Sequence, residues 1–279
     1  MSDIYAVIGN PVAHSKSPEI HASFALQTAQ DIVYKRLFCE RGAFVETVRA
    51  FQAGGGKGLN ITVPFKHEAF EFATRRSTRA EQAGAINVLG FDTAGADGVL
   101  GDNTDGAGLI RDITVNLGYA LRDKKVLLLG AGGATFGAVV PLLGELPRAL
   151  VIANRTESKA RALVQRFAGA AAGCKFSAST FAELAGTKFD VVINATSAGL
   201  SGDMPALPDY VFAPGALAYE MVYGKITPFM QFAQAQGAPD VQIADGLGML
   251  VEQAAESFLI WRGVRPETAS VMAALRAGT

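Results

Sequence analysis

Polar residues standing alone among apolar ones are the first sign of chemistry in this chain. In Leu59-Asn-Ile-Thr-Val-Pro-Phe-Lys66, the alternation puts Leu59, Ile61 and Val63 on one face of a strand and Asn60 and Thr62 on the other. Pro64 ends that strand, and Lys66 follows in the turn toward the next helix. Ligands of α/β proteins gather at strand ends, so Asn60, Thr62 and Lys66 form a candidate polar cluster, although a lysine after a proline is often merely solvated. Asp105, in Gly101-Asp-Asn-Thr-Asp-Gly-Ala-Gly108, has three uses open to it: capping the next helix, accepting from a ligand hydroxyl, or pairing with a lysine. Ser15 and Ser17 stand just before Pro18, which suits a first helical residue with Ser17 as its cap. Two hydroxyls beside unpaired N–H groups can seat a carboxylate or a polyol, or simply cap the helix. Asn87, an amide within Gly84-Ala-Ile-Asn-Val-Leu-Gly90, needs partners if buried; its plainer use is to staple a turn.

The second candidate is Lys125-Val-Leu-Leu-Leu-Gly-Ala-Gly-Gly-Ala134. An apolar strand runs into Gly130, Ala131, Gly132, Gly133 and Ala134, and an apolar helix-compatible stretch follows from Phe136 to Leu146. This is the order of a dinucleotide-binding strand, turn and helix, with pyrophosphate at the helix N-terminus. The third glycine position of the usual motif is Thr135, so the spacing is a variant. The next apolar run, Ala149 to Ala153, ends in Asn154-Arg-Thr-Glu-Ser-Lys159, where an NAD site usually has an acid. Arg155, with Thr156 and Lys159, can instead bind a ribose 2′-phosphate, so NADP is expected over NAD. The alternative is an exposed helix start.

The positioning elements alternate between strand and helix. Strands are expected at Ile4 to Ile8, Ile32 to Phe38, Phe189 onward and Leu217 to Tyr223, and helices at Glu19 to Ala29, Ala43 to Ala53 and Pro266 to Ala277. Phe189 leads through Asn194 to Ser197, small polar residues suited to a loop over a cofactor. Asp245 to Trp261 carries an apolar stripe of Leu247, Leu250, Val251, Ala254, Ala255, Phe258 and Leu259, with Gln253 off it beside Gly246 and Met249.

Composition narrows the classes. With 49% hydrophobic and 18% charged residues over 279 positions, a folded two-domain α/β chain is expected. A net charge of −1 without long single-sign runs gives no footprint for nucleic acid or an anionic membrane. Two distant cysteines and three histidines indicate neither a disulfide framework nor a metal site, and no apolar run reaches spanning length, so a cytoplasmic setting is expected.

Taken in order, Gly9-Asn-Pro-Val-Ala-His-Ser-Lys-Ser-Pro18, Asn60-Ile-Thr-Val-Pro-Phe-Lys66, Gly84-Ala-Ile-Asn87, Gly101-Asp-Asn-Thr-Asp-Gly106, Gly130-Ala-Gly-Gly-Ala134, Asn154-Arg-Thr156, Asn194-Ala-Thr-Ser-Ala-Gly199 and Asp245-Gly-Leu-Gly-Met-Leu250 resemble the shikimate dehydrogenases over essentially the whole chain. The resemblance implies an α/β fold of two domains separated by a cleft. Residues 1–105 plus about 247–279 would form the substrate-binding and catalytic domain, and 106–246 a Rossmann-type NADP-binding domain. It implies Lys66 as the proton-transfer residue with Asp105 as partner, both touching shikimate. Ser15 and Ser17 would hold the carboxylate, and Thr62, Asn87, Tyr223 and Gln253 would complete the pocket. Met221 would lie near the nicotinamide, and Gly246 would join the cofactor contacts; by their residue types alone, Met221 and Tyr223 also suit core packing.

The chain departs from the family pattern in places. Phe136 stands where an arginine often follows the glycine loop, Val88 replaces a threonine, Glu220 replaces an aspartate, and the stretch between Tyr223 and Thr227 looks one residue short. These departures bear on cofactor affinity and loop shape and leave Lys66, Asp105 and the serines untouched. The expectation is reversible NADPH-dependent reduction of 3-dehydroshikimate by a monomer or homodimer without metal. The rivals are a quinate/shikimate dehydrogenase of broader cofactor use and a non-catalytic NADP-binding sensor.

Overall fold

The computed structural model describes residues 2–91, 98–196, 198, 202–236 and 240–278. The chain divides into two compact units, Met1–Gly108 with Val251–Thr279, and Leu109–Leu250. Each unit is built on one six-stranded sheet.

The first unit holds β1 (Asp3–Gly9), β2 (Ile32–Phe38), β3 (Gly56–Ile61), β4 (Arg75–Arg76), β5 (Val88–Phe91) and β6 (Val99–Asp102), in the spatial order β2-β1-β3-β5-β6-β4. β1 pairs in parallel with β2 and β3, whereas β5 runs antiparallel to β3 and β6. Helices α1 (Ser17–Gln27), α2 (Phe44–Ala53), α3 (Lys66–Phe72) and α4 (Thr78–Ala83) connect these strands. A core of Ile8, Phe44, Leu59, Ile61, Phe65, Ile86 and Leu89 fixes where β3 ends and α3 begins.

The chain enters the second unit along α5 (Asp105–Arg111), which continues as one π-helical turn, Asp112–Asn116. Its strands are β7 (Lys125–Leu129), β8 (Ala149–Ala153), β9 (Lys175–Ser179), β10 (Phe189–Asn194), β11 (Phe212–Glu220) and β12 (Gln242–Asp245), ordered β12-β11-β10-β7-β8-β9 with every pair parallel. This is a doubly wound sheet whose direction of winding reverses between β7 and β10. Both faces are covered: Val126 and Leu128 enter one core, Leu127 and Leu129 the other, so β7 is apolar without alternation. Helices α6 (Gly133–Gly144), α7 (Glu157–Phe167) and α8 (Pro228–Ala235) belong to this unit. Then α9 (Leu247–Arg262) returns the chain to the first unit, and α10 (Ala269–Ala277) ends it. No helix among the described residues is long and apolar enough to cross a membrane.

Several element ends differ from expectation, for local reasons. Ser17 does not cap α1: it is the first helical residue, Lys16 stands at the cap, and the Ser15 hydroxyl accepts the Ser17 N–H at 3.3 Å. β3 starts earlier, at Gly56, and stops at Ile61, leaving Val63 exposed in the turn. Gly106 and Gly108 lie inside α5, because the helix starts at Asp105. β11 ends at Glu220, so Met221 and Tyr223 do not continue the face of the buried Tyr219. Glu252, Gln253 and Ser257, off the stripe of α9, are buried too, and Glu252 is held by Arg265 at 2.7 Å and by Thr268 at 2.6 Å.

His21 is fully buried and lies flat on Tyr34, ring centroids 4.2 Å apart and planes 5° from parallel. Burial pulls its pKa from 6.5 down to about 3, against a weaker opposing contact with Asn60. The unfolded chain therefore takes up this proton below pH 6.5 while the folded one stays neutral until about pH 3. Over that window His21 removes about 1.4 kcal/mol of stability for each unit of acidification, and above it nothing. Urea unfolding from pH 7 to pH 4 should show this slope and lose it in His21→Phe; the same slope in both proteins excludes His21 as its source.

Candidate active site

Lys66 is the first residue of α3, placed there by the Val63–Phe65 turn and the buried Phe65. Its Nζ lies 2.5 Å from Asp105 Oδ2, with side-chain exposures of 30% and 12%, so the lysine is open to a ligand while the acid is screened. Asp105 Oδ1 accepts from Asn87 Nδ2 at 2.8 Å, which leaves Oδ2 turned to the lysine. Asn87 is itself fixed, because its Oδ1 accepts the Thr104 N–H at 2.8 Å and its Nδ2 also reaches Gln253 Oε1 at 3.1 Å. Thr104 Oγ1 donates to the Gln253 carbonyl at 3.0 Å, and Ser257 donates to the same carbonyl at 2.9 Å. Asn60 completes the cluster, giving Nδ2 to Ser257 at 2.9 Å and taking the Tyr34 hydroxyl at 2.7 Å. Burial raises the pKa of that hydroxyl well above its ordinary 10, so Tyr34 remains a donor. Behind Asp105, Asp102 accepts from Ser77 and from Arg79 at 2.6 Å, and Arg79 bridges on to Glu256 at 3.1 Å.

Ser15 and Ser17 come together as expected at the start of α1, Ser15 Oγ donating to Ser17 Oγ at 3.1 Å. Thr62 lies just past β3, its N–H on the Ile8 carbonyl at 3.0 Å. The first unit thus unites Lys66, Asp105, Asn87 and Gln253 through direct bonds, with the serine pair and Thr62 as separate groups. Tyr223 belongs to the second unit, half-buried beyond β11. Thr104 and Ser257 escaped the sequence reading. Their signals were present: Thr104 lies inside the Gly101-to-Gly106 motif, and Ser257 is four residues from Gln253 on one helix.

In the second unit, Gly130 ends β7 with φ of +105°, a conformation that favours glycine. A side chain there would press on Thr196 and on the Ala195 backbone, so the turns after β7 and β10 touch where the winding reverses. Gly132 caps α6 and Gly133 begins it, and a β-carbon at either would meet open space, as a phosphate cradle requires. Ala131 packs on the core and Ala134 is exposed in the first turn. After β8, Asn154 Nδ2 donates to the Thr156 carbonyl at 2.8 Å, Thr156 stands at the N-cap position of α7 without a side-chain cap bond, and Arg155 and Lys159 are exposed. Met221 gives its N–H to the Asn194 carbonyl at 3.0 Å, and Gly246 packs so closely on Met221 that a β-carbon would overlap its carbonyl. Ser197 and Gly199 of the expected cofactor loop lie outside the described residues. Among the described residues no group of His, Cys, Asp and Glu could hold a metal ion.

Residues 7–89 match the model of the shikimate dehydrogenase substrate binding domain, 113–201 that of shikimate / quinate 5-dehydrogenase, and 246–276 that of the shikimate 5′-dehydrogenase C-terminal domain. A protein of Dechloromonas aromatica (strain RCB) named shikimate dehydrogenase (NADP(+)) is 58% identical over 278 residues, 99% of this chain and 98% of that one. The crystal structure of an Ael1 enzyme from Pseudomonas putida superposes with a TM-score of 0.91 at 48% identity, covering 98% of both chains. Shikimate 5-dehydrogenase from Thermus thermophilus, solved with NADP(H) and shikimate, gives 0.86 at 28% identity over 99% of this chain and all of that one.

The cluster hangs on one amide. Replacing Asn87 by alanine strips partners from the buried Thr104 N–H and from Asp105 Oδ1. The loss should be about 2–6 kcal/mol in chemical denaturation, since each of the two buried groups left unsatisfied costs roughly 1–3 kcal/mol. Unchanged stability would show that these bonds are replaced by water.

Proposed function

The chain belongs to the shikimate dehydrogenase family, and from that membership we propose that it catalyses the reversible NADPH-dependent reduction of 3-dehydroshikimate to shikimate, a step toward chorismate and the aromatic amino acids. The observation that carries the mechanism is the 2.5 Å contact between Lys66 and Asp105 inside the bonded cluster of Asn87 and Gln253. NADPH, when bound, supplies the hydride. Negative charge then builds on the substrate's carbonyl oxygen, where the Lys66 ammonium donates a hydrogen bond and finally its proton. In the reverse direction, neutral Lys66 accepts the hydroxyl proton. Asp105 keeps Nζ in place, and Asn87 keeps Asp105 from rotating away. Ser15 and Ser17 exchange their mutual hydrogen bond for bonds to the substrate carboxylate, while Thr62, Asn87, Tyr223 and Gln253 meet the remaining polar groups.

The unit of Met1–Gly108 with Val251–Thr279 is assigned to the substrate and Leu109–Leu250 to NADP. Gly130 to Ala134 receive the pyrophosphate at the α6 N-terminus. Arg155, Thr156 and Lys159 hold the 2′-phosphate, in a place where Asn154 offers no acid to repel it. Met221 and Gly246 belong to the nicotinamide end. A cytoplasmic enzyme, monomeric or homodimeric and without a nucleic-acid partner, fits the free thiols of Cys39 and Cys174 and the net charge of −1.

Nicotinamide absorbance with shikimate and NADP, and separately with quinate and NAD, tests this assignment; efficient NAD-dependent turnover of quinate overturns it. Lys66→Ala should lower turnover by about two to four powers of ten while shikimate still binds, and near-normal turnover refutes its role. Arg155→Ala should reduce the preference for NADP over NAD in kcat/KM by about 10- to 100-fold, the worth of a charge-assisted hydrogen bond; an unchanged ratio removes Arg155 from the phosphate site.

A further inference from the structure

Glu220, the last residue of β11, is wholly buried. Among the described residues no lysine, arginine or histidine pairs with it, and its carboxylate is met by neutral donors. Asn194 Nδ2 and Thr227 Oγ1 each reach Oε2 at 2.8 Å, and the Val222 N–H reaches Oε1 at 3.0 Å. Burying an acid without a counter-charge is costly, so filling space does not account for one here.

The three donors come from the end of β10 and from the connection between β11 and α8, at the carboxyl ends of the parallel strands, where ligands of doubly wound sheets bind. Asn194 closes β10, and its own Oδ1 takes the Thr196 hydroxyl at 2.7 Å and the Thr196 N–H at 3.2 Å. Thr196 is the residue that a side chain at Gly130 would strike, which puts this knot against the glycine turn. Val222 lies between Met221 and Tyr223. Thr227 caps α8, accepting the Met230 N–H at 3.3 Å while giving its proton to Glu220.

We propose that Glu220 is a positioning residue for the nicotinamide end of NADP: its carboxylate ties the Asn194–Thr196 turn, the Met221–Val222 backbone and the start of α8 into one rigid seat. This rests on the assignment of Leu109–Leu250 to NADP. A glutamine has the same length but one acceptor oxygen, so one of the three contacts would become donor against donor.

The test compares wild type, Glu220→Gln and Thr227→Val, with NADPH binding read directly by nicotinamide fluorescence and KM measured for NADPH and for 3-dehydroshikimate. Glu220→Gln should raise the NADPH Kd and KM about tenfold or more and leave the KM for 3-dehydroshikimate within about twofold. Thr227→Val, which removes one donor to Glu220 together with the cap of α8, should move the same two constants by a smaller factor, and it decides the matter if Glu220→Gln does not fold. A parallel rise in both KM values, or a lowered Tm with NADPH binding intact, overturns the proposal. Wild type that binds NADPH without reducing 3-dehydroshikimate refutes the proposed reaction instead and leaves the fluorescence comparison decisive for Glu220.

Discussion

Asp105 has two oxygens and two different tasks for them, and the candidate site depends on keeping them apart. Oδ1 is taken by Asn87 and Oδ2 faces Lys66. Were Asn87 to turn over, its carbonyl would face the carboxylate and repel it, freeing Asp105 to rotate and Lys66 to swing into solvent. The Thr104 N–H prevents that turn, because a backbone donor cannot change its direction to suit. Thr104 precedes Asp105 in the chain, so one short stretch both supplies the acid and fixes the amide that orients it. The ion pairs of Asp102 with Arg79, and of Arg79 with Glu256, hold that stretch from behind. A fully satisfied buried network of this kind rigidifies its members, whereas a partly satisfied one would cost stability.

The second unit is built differently, with backbone N–H groups rather than side chains presented at the start of α6. The central strands pack on both faces along most of their length, and polar groups gather at and beyond their carboxyl ends. The reversal of winding between β7 and β10 leaves room there, and Gly132 and Gly133 keep it open.

How far the sequence disclosed this varies with the kind of interaction. β2 and β8 were legible to the residue, β8 as a short apolar run and β2 as a stretch rich in β-branched and aromatic residues. The ends of β3 and α5 were not, because glycines read as turn formers in sequence can be absorbed into a strand or helix once the core fixes its path. Lys66, Asp105, Asn87 and the serines stood out as polar residues in apolar or turn settings. Thr104, Ser257 and Tyr34 did not, because their roles come from partners far away in sequence; Ser257 meets Asn60 across 197 positions. Periodicity also misjudged α9: its stripe identified one buried face, but Glu252, Gln253 and Ser257 on other faces are buried as well, each held by specific bonds that no pattern of hydrophobicity records.

Phe136 shows how a departure in sequence becomes a change in physics. A residue at this place that faced the cofactor would add charge, but a phenylalanine packs inward, joining the core of α6 and meeting Phe167 edge-on with centroids 6.1 Å apart. The Arg166 guanidinium of α7 then lies over both rings, 5.3 Å from Phe136 and 5.4 Å from Phe167. Such cation–π contacts fasten α6 to α7. On the assignment proposed above, the charge of the dinucleotide would be met by the N–H groups at the α6 N-terminus and by Arg155 and Lys159 beyond β8, with no contribution from position 136. On the same assignment the cationic side chains stand beyond β8, at the end that would distinguish NADP from NAD, while the glycine turn contributes backbone alone.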